Sequence, residues 1–318
     1  MLPLLFTLLS LALAFVANAF PTQEVLDVRP LASNRRPLVI WHGLGDSYAS
    51  EGMVEFMSLI QDIPPGLFIH SVYIDEDNNE DRRAGFYGNL DDQLPLVAAQ
   101  LATVPELSVG FDAIGFSQGG QFLRAYVERY NAPPVRNLVT FGAQHMGISD
   151  IPLCKPLDLI CQVARRAARR GVYGAWAQEH LIQAQYYRDP SQLPLYLSTN
   201  RFLTSINNEL AATRNATYAR QLSSLSSLVL VLFAQDKTVV PKESSWFGSY
   251  APPDEDRSAS EEVVPMRAQP LYREDWIGLK GLDERGGVVL VSCEGEHMQL
   301  ARSCWEPLVR LYAGSVVP

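Results

Sequence analysis

Gly115-Phe116-Ser117-Gln118-Gly119 sets a serine between two glycines, directly after an apolar run and directly before a helical one. The pattern G-x-S-x-G is what a nucleophile elbow needs. A strand turns into a helix so sharply that the serine takes a strained conformation, and neighbours without side chains let strand and helix approach. Such a turn lifts the hydroxyl above the sheet edge and aims the first N–H groups of the helix at a substrate oxygen. The pentapeptide alone is a common pattern, and its context gives it weight. Residues 111–115 read as a short buried strand, and residues 118–130 as a helix with Phe122, Leu123, Tyr126 and Val127 on one face.

Working outward, apolar runs rich in β-branched residues recur at 37–41, 67–74, 111–116, 135–142, 228–234 and 287–292, with helical patterns between several of them, such as 90–101 and 118–130. Strands alternating with helices predict an α/β fold, a mostly parallel sheet with helices on both faces. The stretch from about 143 to 227 breaks the alternation; it leans helical, and it is expected to form a cap inserted after one strand. Residues 251–269, rich in Pro, Asp, Glu and Ser, read as a solvated loop.

At 318 residues and 47% hydrophobic, the chain suits one α/β domain over residues 20–318 with that insertion, better than two equal domains. Residues 4–17 form an apolar run ending in Ala17-Asn18-Ala19, the small-x-small pattern cut by a signal peptidase. Residues 1–19 are therefore expected to be a cleaved signal peptide, with an uncleaved anchor as the alternative. The expected setting is the secretory pathway, with a lysosomal or vacuolar lumen or the medium as destination. The leader carries no charged side chain, so the formal net charge stays at −9, which disfavours nucleic acid as a partner.

An oxidising compartment gives the four cysteines a role. Cys154 and Cys161 are close enough along the chain to pair, as are Cys293 and Cys304; free buried thiols are the alternative. Asn215-Ala216-Thr217 is a glycosylation acceptor, which predicts an exposed loop.

A serine hydroxyl is a weak nucleophile near neutral pH, so the elbow has meaning only if a histidine takes its proton and a carboxylate orients that histidine. In α/β-hydrolases the order along the chain is serine, acid, histidine, with the latter two on loops after later strands. His297 follows the run 287–292 and satisfies this order; Asp236 follows the run 228–234 and is the matching acid. His145 also follows a strand, but it precedes the expected cap and suits a structural hydrogen bond. Glu294 and Glu296 flank His297 and are alternative acids, although chain neighbours usually point apart. His70 and His180 have no motif around them. For the oxyanion hole, the glycine-bearing turn His42-Gly43-Leu44-Gly45-Asp46-Ser47 nominates the Leu44 N–H, to act with that of Gln118; a tight turn without a catalytic part is the alternative. This chemistry calls for no metal and no cofactor.

Trp41-His42-Gly43-Leu44-Gly45-Asp46-Ser47, Gly115-Phe116-Ser117-Gln118-Gly119-Gly120-Gln121-Phe122-Leu123-Arg124, Trp246-Phe247-Gly248 and Gly295-Glu296-His297-Met298-Gln299-Leu300 resemble the palmitoyl-protein thioesterase family, α/β-hydrolases that remove long fatty acyl groups from cysteines. The likeness runs from about residue 37 to the C-terminus. The segment Gly142-Ala143-Gln144-His145-Met146-Gly147 also looks like the family's passage into its helical cap, and Cys154/Cys161 match a disulfide pair there. The resemblance implies Ser117, Asp236 and His297 as the triad, Leu44 and Gln118 as oxyanion donors, and S-acylated proteins or peptides as substrates. Three features depart from the pattern: Tyr48 and Ala49 stand where animal members carry adjacent cysteines, the acidic stretch 252–262 is longer, and Cys293 and Cys304 flank His297. That last pair is expected to form a bridge tethering the histidine loop.

The triad itself does not distinguish thioester from ester. A secreted lipid carboxylesterase on the same site is one alternative, and a non-catalytic lipid-binding protein is another. Tyr173, Trp176, Leu181 and Ile182 are candidates to line an acyl groove, with helix core as the more ordinary reading. Arg165, Arg166, Arg169 and Arg170 suit either anionic headgroups or a solvated face. Because a general base must be neutral to accept a proton, turnover is expected to be faster near neutrality than at pH 5.

Overall fold

The computed structural model describes residues 35–150, 171–253 and 262–316. The leader 1–19, the Cys154/Cys161 pair and the four arginines at 165, 166, 169 and 170 lie outside the described residues. The strands are β1 (Leu38–Trp41), β2 (Ile69–Ser71), β3 (Phe111–Phe116), β4 (Val135–Phe141), β5 (Ser227–Phe233), β6 (Ser249–Tyr250), β7 (Val263–Val264) and β8 (Val288–Cys293). Six of them form one sheet in the order β2-β1-β3-β4-β5-β8, with every neighbouring pair parallel. β6 and β7 make a separate two-stranded antiparallel ribbon. Each apolar run in the sequence holds one sheet strand. The run at 67–74 supplies only three strand residues, because β2 is an edge strand paired on one side alone.

Side-chain alternation divides the core between the two faces. Leu38 and Ile40 of β1, Ile114 and Phe116 of β3, and Val229, Val231 and Phe233 of β5 pack with α1 (Glu51–Gln61) and the C-terminal helix Arg302–Tyr312. Val39 and Trp41, Phe111 and Ala113, and Leu228 and Leu230 face the other way. There they meet α3 (Leu90–Thr103) and α4 (Gln118–Arg129), beyond the short α2 (Asn78–Ala84). The four inner strands, buried on both faces, have no polar side to show, which is why they read as unbroken apolar runs. Local signals set the helix starts: Ser50, Asp77 and Asn89 cap α1, α2 and α3 by accepting backbone N–H bonds.

Between β4 and β5 the described chain forms short helices, Ala175–His180, Ile182–Gln185, Leu193–Thr199, Phe202–Ile206 and Ala216–Ser223. The first two are stitched to the loop after α2: Gly88 N–H donates to His180 O (3.0 Å) and Ile182 N–H to Phe86 O (3.1 Å). Arg124 of α4 anchors the segment from below. Fully buried, it donates to Glu128 Oε1 (3.0 Å), His145 O (3.1 Å), Ile206 O (3.3 Å) and Asn207 Oδ1 (2.9 Å). No helix among the described residues is long and apolar enough to cross a membrane.

Candidate active site

Parallel strands end at one edge of the sheet, and their exit loops meet there. At the end of β3, Ser117 has φ 51° and ψ −122°, a conformation that non-glycine residues rarely take. Tight packing enforces it. A Cβ on Gly115 would stand 2.4 Å from Gly120 Cα, and one on Gly119 would stand 2.4 Å from His42 O, so neither position admits a side chain. Although Ser117 occupies the N-cap of α4, its hydroxyl makes no capping bond. Instead Ser117 Oγ lies 3.0 Å from His297 Nε2.

On the other side of that ring, His297 Nδ1 is 2.7 Å from Asp236 Oδ2. Asp236 is buried, and its Oδ1 accepts the N–H groups of Thr238 (2.8 Å) and Val239 (3.0 Å), which fixes the carboxylate plane. The structure thus brings together three side chains spread over 180 residues. The flanking acids point elsewhere: Glu294 Oε2 accepts from Gln235 Nε2 at 3.1 Å, and Glu296 faces Lys237 at 3.9 Å. Gln235 also braces the histidine loop, accepting the Gly295 N–H on its side chain and donating its own N–H to Gly295 O (2.9 Å). A disulfide joins Cys293 to Cys304 across the same loop.

The loop after β1 runs against the nucleophile, so that a Cβ on Gly43 would stand 3.3 Å from Ser117 Cβ. The N–H groups of Leu44 and Gln118 bond to no acceptor among the described residues.

Residues that sequence reasoning missed hold this loop. His42 Nε2 lies 3.0 Å from Asp81 Oδ2, a close polar contact without aligned hydrogen-bond geometry, and both side chains are buried. Asp81 also accepts the N–H groups of Ile74 (2.7 Å) and Tyr48 (2.9 Å). Burial pushes the Asp81 carboxyl up, but the contact with His42 and these two N–H bonds outweigh it and hold the group below the ordinary carboxylate range. The Gln118 side chain is clamped as well, with Nε2 donating to Gly85 O (3.1 Å) and Oε1 accepting the Tyr186 hydroxyl (3.1 Å). No local motif marks Asp81 or Tyr186, since each matters only through a contact distant along the chain.

A cavity of about 510 Å³ opens beside Ser117 and His297. Its apolar wall comes from Met53, Phe56, Phe116, Ile148, Val239 and Leu300. Of the two readings of Tyr173, Trp176, Leu181 and Ile182, the groove-lining one does not hold, since none of the four lines the cavity. Ile182 and Tyr173 are packed in the core, Leu181 packs against that core, and Trp176 is 63% exposed and stacked on His180. Tyr173, Leu181 and Ile182 belong to the core on the α3–α4 side of the sheet, whereas the cavity is built from α1, the strand-exit loops and, from the segment between β4 and β5, Gln183 and Tyr186.

The remaining histidines lie outside the site. His145 is fully buried, bonds Thr140 Oγ1 through Nε2 at 3.0 Å and stacks on Phe247; burial and the Arg124 cation hold its pKa well below the ordinary value. His70 meets Gln100 Oε1 at 3.1 Å. Asn215 is exposed, and it caps the helix Ala216–Ser223 by accepting the Thr217 N–H.

The sequence matches the family described as palmitoyl protein thioesterase over residues 37–297. Palmitoyl-protein thioesterase 1 of Caenorhabditis elegans is 40% identical over 302 residues, covering 95% of this chain and 95% of that relative. Palmitoyl-protein thioesterase 3 of Dictyostelium discoideum is 35% identical over 254 residues, covering 80% and 82%. Lysosomal thioesterase PPT2 of Rattus norvegicus is 27% identical over 290 residues, covering 91% and 89%. With an elbow serine after β3, an all-parallel main sheet and a match of this extent, the chain belongs to the palmitoyl protein thioesterase family and carries its α/β-hydrolase fold.

Proposed function

We propose that this protein hydrolyses long-chain acyl thioesters of cysteine, with Ser117 as nucleophile, His297 as general base and acid, and Asp236 as the group that orients the imidazole. The observation that carries the reading is the continuous relay Ser117 Oγ to His297 Nε2 (3.0 Å) and His297 Nδ1 to Asp236 Oδ2 (2.7 Å), opening on an apolar cavity. As Ser117 attacks the acyl carbonyl carbon, Nε2 takes the hydroxyl proton. The carbonyl oxygen becomes an oxyanion held by the Leu44 and Gln118 N–H groups. Collapse breaks the C–S bond, and the thiol leaves with the proton that His297 returns. A thiol has a pKa of about 8.5, so it needs less acid assistance than an alcohol. Water, deprotonated by the same Nε2, then attacks the acyl-enzyme and releases the fatty acid and Ser117.

The apolar leader, the Cys293–Cys304 bond and the lysosomal designation of the rat relative support work in a lysosomal or vacuolar lumen or outside the cell. Cleavage after residue 19, a helical cap over about 143–227, a Cys154–Cys161 bond and a glycan on Asn215 belong to the same reading.

The test is hydrolysis of acyl-cysteine peptides of graded chain length by wild type and Ser117→Ala. The variant is expected to lose activity by about 10⁴-fold or more. Comparable rates in the two proteins, or failure of a fluorophosphonate to label Ser117, would remove the reading.

A further inference from the structure

The two edges of the main sheet are built differently. At one, β2 offers only three residues. At the other, β8 runs for six, Val288-Val289-Leu290-Val291-Ser292-Cys293, and the stretch from Gly286 to Cys293 holds no charge and no proline, two devices that keep an open edge from pairing. Leu228 N–H donates to Gly287 O (2.8 Å) and Ala234 N–H to Cys293 O (2.8 Å). In a parallel ladder the residues that bond a given neighbour alternate, so Gly287, Val289, Val291 and Cys293 turn their backbone groups toward β5, and Val288, Leu290 and Ser292 turn theirs away. Those outward N–H and C=O groups bond to no described residue. Leu290 is 37% exposed, and with Trp246, Val263 and Met266 it walls an apolar hollow of about 330 Å³.

We propose that two copies of this chain associate through their β8 strands, antiparallel and in register at Leu290, which joins their sheets into one. A strand that pairs with its own copy about a two-fold axis runs antiparallel to it, and the same residues serve both sides. With the axis at Leu290, that residue lies opposite Leu290 of the second copy and Val288 lies opposite Ser292, so every outward donor meets an outward acceptor. The strand ends agree in charge. This register brings Arg285-Gly286 of one copy level with Glu294-Gly295 of the other. Arg285 is exposed and its guanidinium donates only to the carbonyls of Ser223 and Leu225, while Glu294 is exposed and accepts only from Gln235 Nε2 (3.1 Å), so neither meets an opposite charge among the described residues. Symmetry makes the Arg285–Glu294 pair at both ends. Directly opposed residues share a face of the sheet, so the second Leu290 side chain lies beside the first, next to the hollow under Trp246 and Met266.

Sedimentation velocity from micromolar to near-millimolar protein is expected to show a monomer–dimer equilibrium. Leu290→Lys sets two cations side by side at the axis and is expected to weaken the dimer about a hundredfold or more. Arg285→Glu opposes like charges at both ends and is expected to weaken it roughly tenfold, and adding Glu294→Arg to that variant is expected to restore the wild-type affinity. A wild type that stays monomeric throughout, or a dimer that Leu290→Lys leaves intact, overturns the proposal. A dimer weakened by Leu290→Lys but indifferent to the charge exchange overturns the register at Leu290. If Leu290→Lys does not fold, amide exchange in the wild type takes its place: the N–H groups of Val288, Leu290 and Ser292 are expected to exchange more slowly as concentration rises. Exchange independent of concentration, or amides already protected in the monomer because the strand is covered within its own chain, overturns the proposal.

Discussion

Cys293, the last residue of β8, is bonded to Cys304 in the C-terminal helix, and His297 lies inside the loop that this bond closes. Closing a short loop restricts the unfolded chain by roughly 3 kcal/mol in the chain-entropy account. Here it also limits where the imidazole can wander. The double variant Cys293→Ser/Cys304→Ser is expected to melt several degrees lower and to lose kcat more than it raises KM. Thermal melts and steady-state kinetics on an acyl-cysteine peptide check this, and an unaltered kcat would mean that the loop positions His297 without the bond.

Tyr186 reaches Gln118 from the segment between β4 and β5, and its hydroxyl is the partner of Gln118 Oε1. Tyr186→Phe keeps the ring but leaves that oxygen unpaired, a cost of about 1–3 kcal/mol. Because the N–H of the same glutamine is read as an oxyanion donor, kcat is expected to fall about threefold to tenfold. Loss of melting temperature with kcat intact would assign Tyr186 to stability alone.

Asp81 makes a prediction with a defined acid limb. Its folded-state pKa lies below the ordinary 3.8, so the stability it supplies is present above about pH 4 and is lost as pH falls toward the folded value. Asp81→Asn should therefore be less stable than wild type at pH 7, with the gap closing below pH 4. It should also lower kcat, because the loop bearing Leu44 loses the contact with His42. Melting curves at pH 7 and pH 3.5 decide the first point.

Asp112 and Glu128 have the opposite sign. Burial raises Asp112 to about 6, against the pull of Arg36 and the Asn137 amide, and raises Glu128 to about 7 although Arg124 is beside it. Over the window between the unfolded and folded values, the native state holds protons that the unfolded chain has released. Stability from these groups therefore grows as pH falls from about 7 to about 4. His145, kept neutral by burial, works against them below pH 6.5. The difference in melting temperature between Asp112→Asn and wild type isolates the carboxyl. The variant is expected to gain relative to wild type on going from pH 5 to pH 7, and a constant difference would show that Asp112 does not titrate there.

Much of this architecture was legible in the chain itself. Apolar runs at the positions of the six sheet strands carried the parallel sheet, most clearly for the four inner ones, because a strand buried on both faces leaves an uninterrupted hydrophobic record. The glycines around Ser117 marked the elbow, because backbone packed at 2.4 Å from a notional Cβ tolerates nothing larger. Order and spacing nominated Asp236 and His297, since loops that leave successive parallel strands emerge at the same sheet edge. Tertiary structure alone decided the rest. The cavity is walled by α1, the strand-exit loops and Gln183 and Tyr186 rather than by Tyr173, Trp176, Leu181 and Ile182, because which face an apolar residue serves depends on the layer it packs against, and periodicity does not encode that. Asp81 under His42 and Tyr186 on Gln118 are likewise contacts between segments distant along the chain, and they exist only once the sheet has brought those segments to one edge.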